Sequence, residues 1–456
     1  MNTPTPSVFK RASLSLAIIA FLAGCAGTPI REERAARQQA AEVGRTYRPD
    51  NHQPALPALT AHSPAGDYLR FALLKHPQIE AAFHEWRAAV EAITPARSLP
   101  DPQLTFETDI TNTLTTFMPG VMFDFMTRGK RAAIGREAAA ASQVAYRAYV
   151  SAVIRTATDV RRAWVDLAYI EETMRFLRES ATVFDQSLAI SQANYTTGRG
   201  MATLEDQTRL LNEAAKLQTQ LAIFDEQLTA ARARFKSALG LRREDIDPPW
   251  PAQPFPTTAL SNEETLWQRV IAANPGLGSM RAMVEMAVAA VDVARRTKTP
   301  DFTAGLMADL KADPLMVRPT ATMTLPIWRD KIAAIIASAD ARRLAAEARL
   351  NAEQISLAAE LAQMLFMIRE ADRMIAYIEG SGLPNTARAL ASAEAGYQSG
   401  MSGFGALSEL RLMELDLKRE RIAAHRQRET ALVDLSLLVA GEVPAEGLLF
   451  SANLSK

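Results

Sequence analysis

Few side chains in this chain have the type and spacing that chemistry requires. The five histidines, His52, His62, His76, His84 and His425, show no His-x-x-x-His or comparable metal-ligand spacing. They read as scattered surface or cap residues. Cys25 is the single cysteine, which excludes a disulfide within the chain. Gly129-Lys130 lacks the upstream glycine and the following Ser or Thr of a phosphate-binding loop, since Arg131 comes next. Paired carboxylates such as Glu171-Glu172 sit inside a long helical pattern and read as solvated helix faces. These residues predict no enzyme, no catalytic group, no cofactor and no dedicated metal site. One soft-ligand pattern stays open. Met118, Met122, Met126, Met307, Met316 and Met323 gather near two alternating segments. Thioethers suit soft metals, and methionine also fills irregular packing.

Composition narrows the class. Lys+Arg and Asp+Glu each number 51, so no basic surplus supports nucleic-acid binding. The charged fraction of 22% and the lack of long polar tracts argue against wholesale disorder. Ala, Leu, Arg, Glu and Gln dominate the middle and favour long helices. At the N-terminus, Lys10-Arg11 precede a short apolar run, Ala12 to Leu22, too short to span a bilayer. Leu22-Ala23-Gly24-Cys25 resembles the lipobox of bacterial lipoproteins. That resemblance implies a signal peptide over 1–24 and an acylated (palmitate-bearing) Cys25, with Ala26 directing the chain to the outer membrane. A plain signal peptide is the alternative.

The elements that must position any site follow in order. Residues 25–64 read as an extended N-terminal segment with a short helix at 31–43. A first repeat spans 65–240. His76-Pro77 starts a helix with proline in its first turn, where the missing N–H costs nothing, and Pro95 is expected to disturb its end. The period then changes from 3.6 to 2. Strands are predicted at about 102–111 and 117–126, with Leu104, Phe106 and Ile110 out of step with Glu107 and Asp109. A helical hairpin follows over 128–240. Its first arm runs from about 129 to 193, roughly 100 Å long if unbroken. In its second arm Leu210, Ala214, Leu217, Leu221, Phe224, Leu228, Ala231, Phe235 and Ala238 keep 4-3 spacing, a coiled-coil signal. Gly240 stops the helix, and 241–263 is a Pro-rich linker.

The programme then recurs over 264–441. Asn274-Pro275 matches His76-Pro77, and strands are predicted at about 302–310 and 318–326. A second hairpin covers 328–441, with an interruption expected at Gly380–Pro384. A tail, 442–456, closes the chain. Two short turn signals, Tyr195-Thr-Thr-Gly198 and Tyr397-Gln-Ser-Gly400, mark the hairpin ends. A duplication of this size constrains the fold more than any single motif. Each copy yields two strands. Four strands cannot close a barrel, and open edges cannot face lipid, so three chains would give twelve.

The lipobox, the duplicated layout, the His/Asn-Pro helix starts and the Tyr-x-x-Gly turns together resemble the TolC family of outer-membrane factors, over roughly 65–441. The resemblance implies a mainly α fold with a small β part: a trimeric 12-stranded outer-membrane β-barrel continued by a 12-helix periplasmic tunnel. It implies an exit duct of a tripartite efflux system, with a homotrimer, outer-membrane lipid, a periplasmic adaptor (membrane fusion protein) and an inner-membrane pump of the RND type as partners. It places Tyr195, Gly198, Arg199, Tyr397, Gly400 and Ser402 at the adaptor-docking tips. Glu409 and Glu205 fall at the pore gate, and Glu107, Asp109, Asp124 and Asp309 on the lumen. Where family members carry a second gate acid, this chain has Ala406. The alternatives are a type I protein secretion duct and a non-channel coiled-coil scaffold lipoprotein.

Overall fold

The computed structural model describes residues 29–110, 114–197, 204–252, 262–399, 401 and 404–439. In chain order the elements are α1 (Arg31–Tyr47), α2 (Ala65–Lys75), α3 (Pro77–Glu91), α4 (Ile93–Arg97), β1 (Gln103–Ile110) and β2 (Leu114–Phe125), followed by α5 (Arg128–Thr197) and α6 (Leu204–Ala238). The second half continues with α7 (Glu263–Ala273), α8 (Pro275–Arg295), β3 (Phe302–Asp309), β4 (Met316–Met323), α9 (Arg329–Tyr377), a π-helical turn (Ile378–Gly382), α10 (Leu383–Gln398) and α11 (Phe404–Val439). The described chain divides into two compact units. Among the described residues, one draws on the stretch from 29 to Val43, Phe83–Ala148 and Ser279–Leu350; the other on Gly44–Ala82, Tyr149–Gly278 and the stretch from Asn351 to 439.

The first unit holds the sheet, ordered β1-β2-β3-β4 and antiparallel throughout. The two predicted hairpins therefore join edge to edge through β2 and β3. Helices pack beside it on an aromatic and ionic scaffold. Trp86 and Tyr146 pack with tilted rings, centroids 4.8 Å apart. Arg136 and Arg296 both engage Asp292, at 2.5 and 3.2 Å, and Lys130 meets Asp301 at 2.5 Å. These pairs tie the start of α5 to the end of α8. In the N-terminal segment α1 forms where the short helix is expected and runs on to Tyr47. Its Glu33, 1% exposed, accepts from Arg97 and from the Thr94 hydroxyl at 2.7 Å. Such a buried charge is tolerable only because its partners are all present. Chain-local patterns could not reveal a partner some sixty residues away.

The second unit is a set of long helices. Leu167, Ile170 and Met174 of α5 pack on Ala231 of α6, with Phe224 and Leu228 beside them. This is the coiled-coil seam expected from the 4-3 spacing. On another flank of α5, Arg162 pairs with Asp434 at 2.5 Å, and Arg426 with Asp166 at 2.8 Å, so α11 lies along α5. Arg428 pairs with Asp372 at 2.7 Å, which places α9 on the far side of α11. The helix order is thus α6, α5, α11, α9. Glu171 departs from expectation. It is partly buried, and burial pushes its carboxyl above the ordinary range, with Arg232 opposing.

The repeats share one docking device in this unit. Gly240, with φ +75°, would place a Cβ 2.7 Å from the Cα of His76. A non-glycine residue would be strained there on both counts. In the second copy Asn274 donates to the Leu438 carbonyl at 2.8 Å and accepts from the Leu277 N–H at 3.1 Å. Each residue before the helix-starting proline thus meets the end of its own repeat's last helix. An aromatic group, Tyr68, Trp164, Phe235 and Trp250, anchors the Pro-rich linker, and the Tyr68 hydroxyl lies 2.8 Å from the carbonyls of Thr60 and Pro249.

Three further local readings change. The helix before the sheet breaks at Ala92, ahead of Pro95, which sits inside α4. The strands begin and end within three residues of the predicted bounds. The stretch Gly380–Pro384 does not interrupt the helix. A π-helical turn carries the chain through, with Pro384 directly after it at the start of α10.

Candidate functional site

Two regions carry the expected functional residues, and each is built within one unit. The first is the sheet. Its register puts Leu104, Phe106, Phe117, Val121, Phe123, Phe125, Phe302, Leu306, Val317 and Met323 on one face. That face is open: Leu104, Phe106 and Leu306 are 64%, 61% and 58% exposed. A folded chain in water rarely leaves so continuous an apolar surface uncovered. The opposite face carries Glu107, Asp109, Asp124 and Asp309 among methionines, threonines and glycines. All four predicted carboxylates therefore share one side of the sheet. Glu107 and Asp109 are exposed, Asp124 is partly buried and accepts from the Thr303 hydroxyl at 2.6 Å, and Asp309 is buried.

The second region is the ends of the helical hairpins. Gly198, Arg199, Gly400, Ser402 and the lipobox residue Cys25 lie outside the described residues. Tyr195 belongs to the last turn of α5. Tyr397, near the end of α10, is partly buried against a cluster built on Phe184 and Leu210, together with Leu188, Leu217, Leu407, Leu412 and Leu415. This cluster draws on α5, α6, α10 and α11, so near their ends both hairpins share one apolar core. Arg411 crosses from α11 to Glu394 of α10 at 2.5 Å and also meets Glu414 at 3.4 Å. Sequence reading missed this bridge, because the partners are on different arms of the hairpin. Glu205, Leu204, Ala406 and Glu409 are all exposed.

Titratable groups elsewhere follow their surroundings. Four histidines are exposed, while His76 is half-buried at the helix start and accepts from the Gln78 N–H at 3.3 Å. Burial lowers its pKa below the usual histidine value, with Asp159 opposing. A polar cleft of about 340 Å³ opens beside it, lined by Asp159, Arg162, Asp166 and Arg234. Among the described residues no group of three His, Cys, Asp or Glu side chains is placed to hold a metal, and no helix is long and apolar enough to cross a membrane.

A family model described as outer membrane efflux protein matches residues 266–441. Over that span the chain is similar to outer membrane efflux proteins. Solved structures extend the likeness in fold to most of its length. VceC, an outer membrane protein from Vibrio cholerae, is 17% identical and superposes with a TM-score of 0.69, covering 83% of this chain and 96% of VceC. A membrane protein from Pseudomonas aeruginosa is 16% identical, with a TM-score of 0.72 over 85% and 96% of the two chains. The open-state MtrE outer membrane channel from Neisseria gonorrhoeae is 14% identical, with a TM-score of 0.66 over 86% and 94%. A search of curated protein sequences returned no match. The matched span covers the second repeat. The first repeat reproduces its element order, with its two strands hydrogen-bonded into the same sheet.

Proposed function

We propose that this chain is the outer-membrane exit duct of a tripartite efflux system. It conducts small molecules or metal ions passively from an inner-membrane pump and periplasmic adaptor to the exterior. The observation that carries this reading is the sheet: one face apolar and exposed, the other polar, with β1 and β4 as outer strands. Four strands cannot close on themselves, and an open edge cannot face lipid. Three copies would supply a closed twelve-stranded barrel whose polar face lines a wet lumen.

The helices support the same self-association. α9 and α6 are the flanking helices, and both expose large apolar residues. On α9, Ile355, Phe366 and Tyr377 recur every eleven residues at 73%, 56% and 57% exposure. An eleven-residue period is close to three helical turns, so these side chains share one face. On α6, Leu211 and Ile223 are exposed. In the proposed homotrimer these flanks meet and continue the barrel as a twelve-helix tunnel. Acylated Cys25 anchors the chain to the outer membrane. The ends bearing Tyr195, Gly198, Arg199, Tyr397, Gly400 and Ser402 dock the adaptor, and Glu409 and Glu205 sit at the gate.

Two measurements test this. The purified protein should have three times the mass of one chain by light scattering and form conducting pores in planar bilayers. A monomer without conductance would overturn the duct. Within a conducting protein, Glu409→Lys should change closed-state conductance and ion selectivity, and unchanged values would remove Glu409 from the gate.

A further inference from the structure

The methionines of the sheet are not distributed as simple packing. Between β2 and β3 the register pairs Gly120 with Met307 and Met122 with Gly305. Each glycine receives the methionine opposite. The Met307 Cγ lies 2.5 Å from where a Gly120 Cβ would be, and the Met122 Cγ 2.9 Å from that of Gly305. A local twofold axis relates the two halves, running through the Val121–Leu306 pair. It maps Asp124 onto Asp309 and Thr303 onto Met118. It also relates Thr105 and Thr320, each packed beside one of the glycines.

The halves differ on the outer strands, where Glu107 and Arg318 correspond to Thr322 and Gln103, and they differ beside the two aspartates. In one, Thr303 donates its hydroxyl proton to Asp124 at 2.6 Å. In the other, Met118 stands in the threonine's position, and a thioether has no proton to give. The Leu310 N–H to Phe117 carbonyl bond, 3.0 Å, carries the β2–β3 pairing one step further and sets Met118 beside Asp309. On β4, Met316 is the register partner of Asp309. Met307 lies two residues earlier on the same face and leans over Gly120, toward the strand that carries Met118. Met118, Met307 and Asp309 are 4%, 8% and 5% exposed, while Met316 is half-exposed. The Asp309 carboxylate accepts from the Lys311 backbone N–H at 3.0 Å. The buried Thr105 hydroxyl next to Gly120 has no hydrogen-bond partner.

We propose that Met118, Met307 and Met316, with the Asp309 carboxylate, form a binding site for a soft monovalent cation of the Cu(I) or Ag(I) type. Thioethers select soft cations and leave Mg²⁺, Ca²⁺ and Zn²⁺ unbound. Met118 and Met316 flank Asp309 from the two neighbouring strands, each about 4.8 Å away, so flexible side chains can converge over it. The buried carboxylate neutralises the cation's charge. Glu107, paired with Met118, and exposed Asp109 add negative field, against Arg318, paired with Met307, and Lys311. The site deepens the duct reading and rests on it only in taking this face as the water-lined one.

The test is an Ag(I) titration of the purified full-length protein carrying methyl-¹³C methionine. The methyl resonances of Met118, Met307 and Met316 should shift together, and that of Met122 should not. Met118→Leu with Met307→Leu conserves volume and should weaken Ag(I) binding by about tenfold or more. Asp309→Asn should weaken it by about tenfold. Met122→Leu, which alters the matching half alone, should bind as the parent does. Absence of Ag(I)-induced shifts, shifts spread equally over the methionines, or parental affinity in the double variant would each overturn the site. Circular dichroism and oligomer mass establish that the variants are folded. Bilayer conductance without silver reports on the duct separately, so either reading can fail alone.

Discussion

The apolar cluster near the hairpin ends makes a quantitative demand. Leu210 is 3% exposed and Phe184 5%, and their partners Leu188, Leu217, Tyr397, Leu407, Leu412 and Leu415 are partly buried. Leu210→Ala removes three buried carbons, about 2.4 kcal/mol of transfer free energy at ~0.8 per methylene. A cavity term raises Leu→Ala costs to about 2–5 kcal/mol in closed cores. Here the half-exposed neighbours can settle into the space, so the lower part of that range applies, about 2–3 kcal/mol. If the ends open locally, that loss increases the open population by about 30- to 150-fold at 1.36 kcal/mol per decade. Amide exchange in 184–188, 207–217 and 404–415 should accelerate by that factor, while the strands 103–110 and 302–309 keep their rates. Hydrogen-exchange mass spectrometry reads both in one experiment. Acceleration below threefold near the hairpin ends would refute the claim that this cluster holds the two hairpins together. Uniform acceleration, sheet included, would refute the claim that the ends open as a local unit.

Gly240→Ala should destabilise the fold by about 2–4 kcal/mol, combining a left-handed backbone with a Cβ 2.7 Å from the His76 Cα; a midpoint shift in urea unfolding measures it, and a neutral result would negate the docking of Gly240 on His76. Glu33 and His76 each contribute to the acid response. For Glu33 burial acts upward, but the Arg97 and Thr94 hydrogen bonds outweigh it and hold the pKa below 4.5. Its stabilisation is therefore complete above that value and lost as pH falls below it. Burial lowers the His76 pKa below 6.5, so the unfolded state takes up the proton first and stability falls as pH drops through 6.5. In thermal unfolding monitored from pH 7.5 to 3, His76→Gln should reduce the earlier loss and Glu33→Gln the later one. A melting temperature that rises on acidification in the parent and not in His76→Gln would reverse the sign argued for the histidine.

Period and punctuation determined much of this protein. Alternation at Leu104–Ile110 and Phe302–Leu310, the 4-3 run from Leu210 to Ala238, and the matched His76-Pro77 and Asn274-Pro275 are properties of neighbours in the chain. Helices and strands read such neighbours directly, so the duplicated layout and the separation of Glu107, Asp109, Asp124 and Asp309 from the apolar face were legible from residue order. What remained illegible depended on partners far apart in sequence. That β2 pairs with β3, joining the repeats into one sheet, is decided by backbone hydrogen bonds that no periodicity encodes. The same holds for the docking of α1 through the Glu33–Arg97 contact, and for the Arg411–Glu394 bridge between hairpin arms. Gly380 and Gly382 looked like a break, yet packing carries the helix through them, with Gly382 close against Leu417. Met118 shows the division most clearly. Alternation alone set its face, but only the pairing across three strands put it beside Asp309, where its matching partner has a threonine.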